Sequence, residues 1–167
     1  MTVYAGQVLD APTLLDILNR LPRYINKAGA TTYNNQATLQ NDPDLVVSMM
    51  ANSVYDVRIH GSAGGTDGDI QTSWSTPLNS TGSKQCFGPD SASTDRLNTN
   101  MRAGNHAFAT AVTYGTASAT SLIAFIEVGR VVTVDAGTFV FQAAQNSATV
   151  NDSNIGQNTY MIVTKVA

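Results

Sequence analysis

Apolar and polar side chains alternate with a period of two along most of this chain. In Ser53–Gly61, Tyr55, Val57 and Ile59 share one face while Asp56, Arg58 and His60 share the other, the pattern of a half-buried antiparallel strand. The same reading predicts strands over Leu45–Met50, Asp69–Ser75, His106–Tyr114, Thr120–Val128, Val131–Val134, Thr138–Gln142 and Thr159–Val166, about eight in all. Turn chemistry separates several of them: Ala51-Asn52, the glycine-rich Gly61–Gly68, Val128-Gly129-Arg130, Asp135-Ala136-Gly137 and Asn151–Asn158. Strands this short and this regularly punctuated predict an all-β antiparallel sandwich or barrel, not a parallel sheet with crossover helices. The polar stretch Thr76–Asn105 lacks the pattern and reads as a long loop, of the kind that serves function or an interface.

One segment has helical spacing. Asp10 is placed as an N-cap, Pro12 sits in the first turn, Leu14, Ile17, Leu18 and Leu21 recur at helical intervals, and Pro22 closes the run. A helix of about ten residues is marginal alone in water, so its apolar stripe needs a surface to lie on. That surface is the chain's own body, a neighbouring copy, or a partner. Tyr24–Gln40, with Asn34-Asn35-Gln36 and little periodicity, reads as an extended connector. The chain therefore divides into a helix and arm, residues 1–37, and a β body, residues 38–167.

Composition sharpens this picture. The 167 residues are 43% hydrophobic, enough for a real core, yet only 13% are charged, about half the usual quarter. Thr 20, Asn 14, Ser 13 and Gln 8 supply the polar cover, while Glu occurs once (Glu127) and Lys three times (Lys27, Lys84, Lys165). A net charge of −3 offers no source for the polyphosphate attraction of a nucleic-acid binder. No run approaches the roughly 18 apolar residues of a membrane helix, since Glu127, Gly129 and Arg130 interrupt Ser121–Val134. A single cysteine, Cys86, and a start without a basic-then-apolar signal pattern lead us to expect a protein made in a cytoplasm. Low charge also means weak repulsion between copies, which suits a component of an assembly.

Candidate chemistry is sparse. His60 and His106 have no Cys/His cluster around them, so surface or interface histidines outweigh a two-histidine metal site. Asp67-Gly68-Asp69 offers oxygen ligands for calcium but lacks the rest of an EF-hand loop, and turn formation is the better account. Asp42-Pro43-Asp44 reads as a turn leading into a strand. There is no Gly-x-Ser-x-Gly elbow, no local signature at Cys86, and no dinucleotide or phosphate-loop pattern among Gly61, Gly64, Gly65 and Gly68. Twelve acidic residues make some carboxylate pair inevitable, which carries no signal for a glycosidase. Trp74 reads as a core or rim residue ahead of a sugar-stacking platform. The expectation is no enzyme, no cofactor and no metal.

Several blocks, in order, carry a resemblance. They are Ala5–Leu9, Thr38–Leu45, Ala51–Tyr55, Gly68-Asp69-Ile70, Trp74–Pro77, Gly137-Thr138-Phe139, Ala144–Val150 and Tyr160–Thr164. Together they resemble a family of small virion structural proteins from tailed phages of actinobacteria, comprising capsid decoration, head-fibre and minor tail proteins. The chain departs from that family in Asp10–Leu21 and around Cys86. The resemblance implies a trimeric jelly roll of the tumour-necrosis-factor type, hence a homotrimer at the virion surface, made in the bacterial host cytoplasm. Its partners would be the major capsid protein or other virion proteins. The expected attachment residues are Leu14, Ile17, Leu18 and Leu21, and apolar side chains in Phe108–Tyr114 and Leu122–Val128 are expected to be covered by sister subunits. Two other readings stay open: a minor tail or tail-fibre protein binding a host surface receptor or glycan, and a wall-degrading hydrolase.

Overall fold

Two faces of alternating side chains close on one another to make the body. The computed structural model describes residues 11–67, 69–91, 100–118 and 120–167. A helix, α1 (Ala11–Asn19), precedes β1 (Arg23–Asn26), β2 (Thr31–Tyr33), β3 (Gln40–Met49), β4 (Ser53–Gly65), β5 (Ile70–Ser75) and β6 (Thr81–Pro89). There follow β7 (Met101–His106), β8 (Val112–Tyr114), β9 (Ile123–Thr133), β10 (Gly137–Gln145), β11 (Ser153–Ile155) and β12 (Tyr160–Lys165). An eight-stranded sheet runs β1-β12-β4-β9-β6-β7, with β11 joining β4 to β2, and a four-stranded sheet runs β3-β10-β5-β8. Every pairing is antiparallel, and neighbours are mostly distant in sequence. The result is a jelly-roll-like sandwich, the fold class predicted from the period of two.

The core lies between the sheets. Tyr55, Val57, Ile59, Phe125 and Val131 of the large sheet face Ile70, Trp74, Tyr114, Phe139 and Phe141 of the small one, all buried. Their rings interlock: Tyr114 stacks on Phe125 at 4.7 Å, Phe125 lies 6.2 Å from Phe141, and Phe139 meets Trp74 edge-on at 5.2 Å. Each such side chain contributes about 1.5 to 3 kcal/mol on burial. Trp74 is therefore a core residue, and the sugar-platform reading falls away.

Several sequence expectations need correction. Thr120–Val128 and Val131–Val134 are one unbroken strand, β9, through Gly129. That glycine marks a close approach and not a turn: a Cβ there would stand 2.6 Å from the Ser83 carbonyl oxygen and 2.8 Å from the Trp74 ring. His106–Tyr114 is not one strand, because β7 ends at His106 in the large sheet and β8 begins at Val112 in the small one. Phe108, Val112 and Tyr114 are buried in the chain's own core, so they are not the surface expected to meet sister subunits. Within Leu122–Val128 only part fits that expectation: Ile123 and Phe125 face inward, while Ile126 is exposed.

The supposed loop Thr76–Asn105 contains β6, which pairs with both β9 and β7, and the start of β7. The connector Tyr24–Gln40 contains β1 and β2, each hydrogen-bonded into the large sheet. Gly61, Gly64 and Gly65 lie inside β4, with Gly61 directly under the Phe125 ring. β11 occupies part of the presumed turn Asn151–Asn158. Asp42, read as a turn residue, sits on β3 with its side chain buried. The turn expected at Ala51-Asn52 is present, with Asn52 left-handed at φ 50°.

Gly82 gives a sharp test of this packing. Its φ is +128°, and a Cβ would stand 2.1 Å from the Arg130 carbonyl oxygen, a backbone atom that cannot swing aside. Gly82→Ala is expected to destabilise the body by about 3 kcal/mol, read as a lowered midpoint of urea unfolding. An unchanged midpoint would show that β6 and β9 do not approach as closely as described.

Candidate functional site

Of the attachment residues expected from the sequence, Leu14, Ile17 and Leu18 fall on α1 and Leu21 lies two residues past its end, and the three leucines are uncovered. Leu14, Leu18 and Leu21 are 45%, 52% and 52% exposed, and Leu15, which the sequence reading left out, is 58% exposed. Ile17 is half-buried. Successive residues turn by about 100° around a helix, so Leu14, Leu15, Ile17 and Leu18 fan over nearly half its circumference, and Leu21 follows in the next turn, its amide donating to the Leu18 carbonyl at 3.2 Å. Among the described residues the helix has no broad packing contact with any strand of the body. The N-cap assigned to Asp10 and the block Ala5–Leu9 lie outside the described residues.

The chemistry-bearing side chains gather elsewhere, between the sheets. Alternation along β9 sends Glu127 inward beside Phe125, and alternation along β6 sends Lys84 and Cys86 inward opposite it. All three have no exposure. The Glu127 carboxylate accepts hydrogen bonds from the Thr72 hydroxyl, from Trp74 Nε1 and, at 3.0 Å, from Tyr114 Oη, and Lys84 Nζ lies 3.5 Å away. Lys84 Nζ also stands 5.7 Å over the Trp74 ring, a cation–π contact. Glu127 thus ties the two sheets together through donors of the small sheet. Burial first, then the Glu127 charge, push the Cys86 thiol up to about 12 and the Tyr114 phenol far above its ordinary range. A nucleophile, an amine and a carboxylate are all present, and none of them meets solvent.

A second buried ion pair lies near the edges of the two sheets. Just past β1, Lys27 Nζ stands 2.6 Å from Asp42 Oδ2, 2.7 Å from Thr31 Oγ1 and 3.5 Å from Asp44 Oδ2. Two of the three lysines and the sole glutamate are therefore interior, which leaves the surface poorer still in charge. The outer face of the large sheet carries the ion pair of Arg130 and Asp56, at 2.8 and 3.2 Å, beside the exposed apolar residues Phe87, Ile126 and Val132.

The remaining sequence candidates stay apart. His60 stacks on Tyr160 at 4.8 Å on β4 and β12, whereas His106 ends β7. Asp67 accepts a hydrogen bond from Asn151 Nδ2, and Asp69, left-handed at φ 47°, accepts one from the Thr116 amide. Burial raises the Asp69 carboxyl, against the lowering effect of that amide bond. Among the described residues no group of three or more His, Cys, Asp or Glu side chains is placed to hold a metal ion. No helix of the described residues is long and apolar enough to cross a membrane.

No family model matches the chain. No curated protein matches it either. Among solved structures it is similar to one of infectious bursal disease virus, Gx strain, with 9% identity over 88% of this chain and 40% of that one, at a TM-score of 0.20. A second is the VP2 subviral particle of infectious bursal disease virus, with 8% identity over 87% and 37% and a TM-score of 0.19. The chain spans about two fifths of the length of these proteins. Likeness of that extent carries nothing about function.

Proposed function

We propose that the chain is a structural protein of a bacteriophage virion, a capsid decoration or head-fibre protein that docks through α1 and displays a trimeric β knob. The observation that carries this reading is the fan of exposed leucines on a helix outside the sandwich, joined directly to a charge-poor β body. Such a helix is a poor structure in water and a good plug for an apolar groove. The sealed interior supports the same reading, since Glu127, Lys84 and Cys86 all lie closed off from solvent. Major capsid protein or other virion proteins are the proposed partners, and the virion surface the proposed location.

The trimer rests on the low surface charge and on the outer face bearing Phe87, Ile126 and Val132, which a sister subunit would cover. Native mass measurement should give three times 17.6 kDa in dilute solution. A species of 17.6 kDa alone would count against it. The function itself is tested by counting the chain in purified phage particles. Many copies per particle support decoration, a few favour the tail-protein alternative, and complete absence rejects a virion role.

A further inference from the structure

The pair Lys27 and Asp42 is arranged as reactants as well as counter-ions. Asp42 Oδ1 accepts two backbone N–H bonds, from Asp44 at 3.0 Å and Leu45 at 3.1 Å, the donor arrangement of an oxyanion hole. Its other oxygen is in contact with Lys27 Nζ at 2.6 Å. Thr31 Oγ1 accepts a bond from the same nitrogen and orients it. Asp44, fixed by the Ala28 amide at 3.1 Å, sets a second carboxylate 3.5 Å from that nitrogen, in place to carry a proton. Neither the Lys27 nor the Asp42 side chain has any solvent exposure.

We propose that Lys27 and Asp42 condense to an intramolecular isopeptide bond, with Asp44 as the proton carrier. Asp44 takes a proton from the ammonium and passes it to Asp42 Oδ2, and the freed amine lone pair attacks Cγ of the carboxylic acid so formed. The negative charge that develops on Oδ1 is met by the Asp44 and Leu45 amides. The C–N bond forms, the bond from Cγ to Oδ2 breaks, and Oδ2 leaves as water with two of the three ammonium protons, one of them returned through Asp44. Ammonium and carboxylate become a secondary amide and one water, with no oxidation or reduction. Fixed geometry supplies the high effective concentration that such a condensation needs. A dry ion pair bears a desolvation cost that the uncharged amide does not, and exclusion of water opposes hydrolysis.

The other buried pair is an internal control. Lys84 is 3.5 Å from the nearest Glu127 oxygen, three donors already occupy that carboxylate, and among the described residues no second carboxylate forms an ion pair with Lys84. It stays an ion pair. The proposed bond has a mechanical consequence, because β1 is an edge of the large sheet and β3 an edge of the small one. A pull arriving from α1 through β1 would pass covalently into β3, instead of depending on the β1–β12 hydrogen bonds alone. The bond itself does not rest on the virion reading.

Mass spectrometry of the denatured full chain, kept at neutral pH after folding, tests it. Allowing for the initiator methionine, the chain should be lighter than its sequence by one water. Trypsin should not cut after Lys27, and peptide Tyr24–Arg58 should carry the whole deficit and give no backbone fragments between residues 27 and 42. Lys27→Arg keeps the charge without a nucleophilic amine, and Asp44→Asn removes the proton carrier; both should show the full sequence mass. A wild-type chain of full mass overturns the proposal, as does a deficit that maps elsewhere or survives Lys27→Arg. The mapping of the wild-type peptide decides the matter even where a variant does not fold.

Discussion

Replacing Glu127 by leucine should destabilise the body by about 3 to 5 kcal/mol, the scale for removing one partner of a buried ion pair. For a chain of this length that lowers the thermal midpoint by on the order of 10 °C. The substitution strands Lys84, fully buried, without a counter-charge, and it orphans the Thr72 hydroxyl, Trp74 Nε1 and Tyr114 Oη together. Lys84→Met should cost less, since those three donors remain to hold the carboxylate. The double variant Lys84→Met/Glu127→Leu should be more stable than Glu127→Leu alone, because the stranded charge is gone, yet less stable than the parent, because the donors are still unpaired. Thermal unfolding of the four proteins checks the order. A double variant no better than Glu127→Leu would show that charge stranding is not the cause.

The second large effect concerns attachment. Changing Leu14 and Leu18 to Asp should abolish occupancy on particles while leaving the β body folded, because both side chains are exposed on a helix with no broad contact to the strands. Each leucine that becomes buried on docking contributes about 1.5 to 3 kcal/mol, and an aspartate in its place would bring a charge into an apolar groove. Three linked helices multiply the loss through avidity. Particles grown without the native chain and mixed with the variant should bind none, with circular dichroism and unfolding midpoint unchanged. Retained occupancy would reject α1 as the plug.

The sandwich was legible where the inward set was apolar. Tyr55, Val57 and Ile59 announce β4, and Ile70, Thr72 and Trp74 announce β5. β6 was hidden because its inward positions are Lys84, Cys86 and Gly88, so that the buried face reads as polar or small. The same concealment covers the interior cluster: a lone glutamate and a lysine 43 residues apart show no spacing signal, and only the β6–β9 register places Glu127 opposite Cys86. Scarcity was the one available clue, since a chain with a single Glu and three Lys has kept two of those lysines and that Glu inside. Gly129 misled because a glycine that admits a neighbouring tryptophan ring looks, in sequence, like one that makes a turn. The leucines of α1 were plain from their spacing, but that the body leaves them uncovered is a tertiary fact.

An averaged electron cryomicroscopy map of the phage particle tests the central claim most directly. The account predicts threefold β knobs standing on the particle surface, with the leucine fan of α1 buried in the underlying virion protein at their base. Particles that lack the chain, or knobs seated through the sandwich with α1 left in solvent, would contradict it.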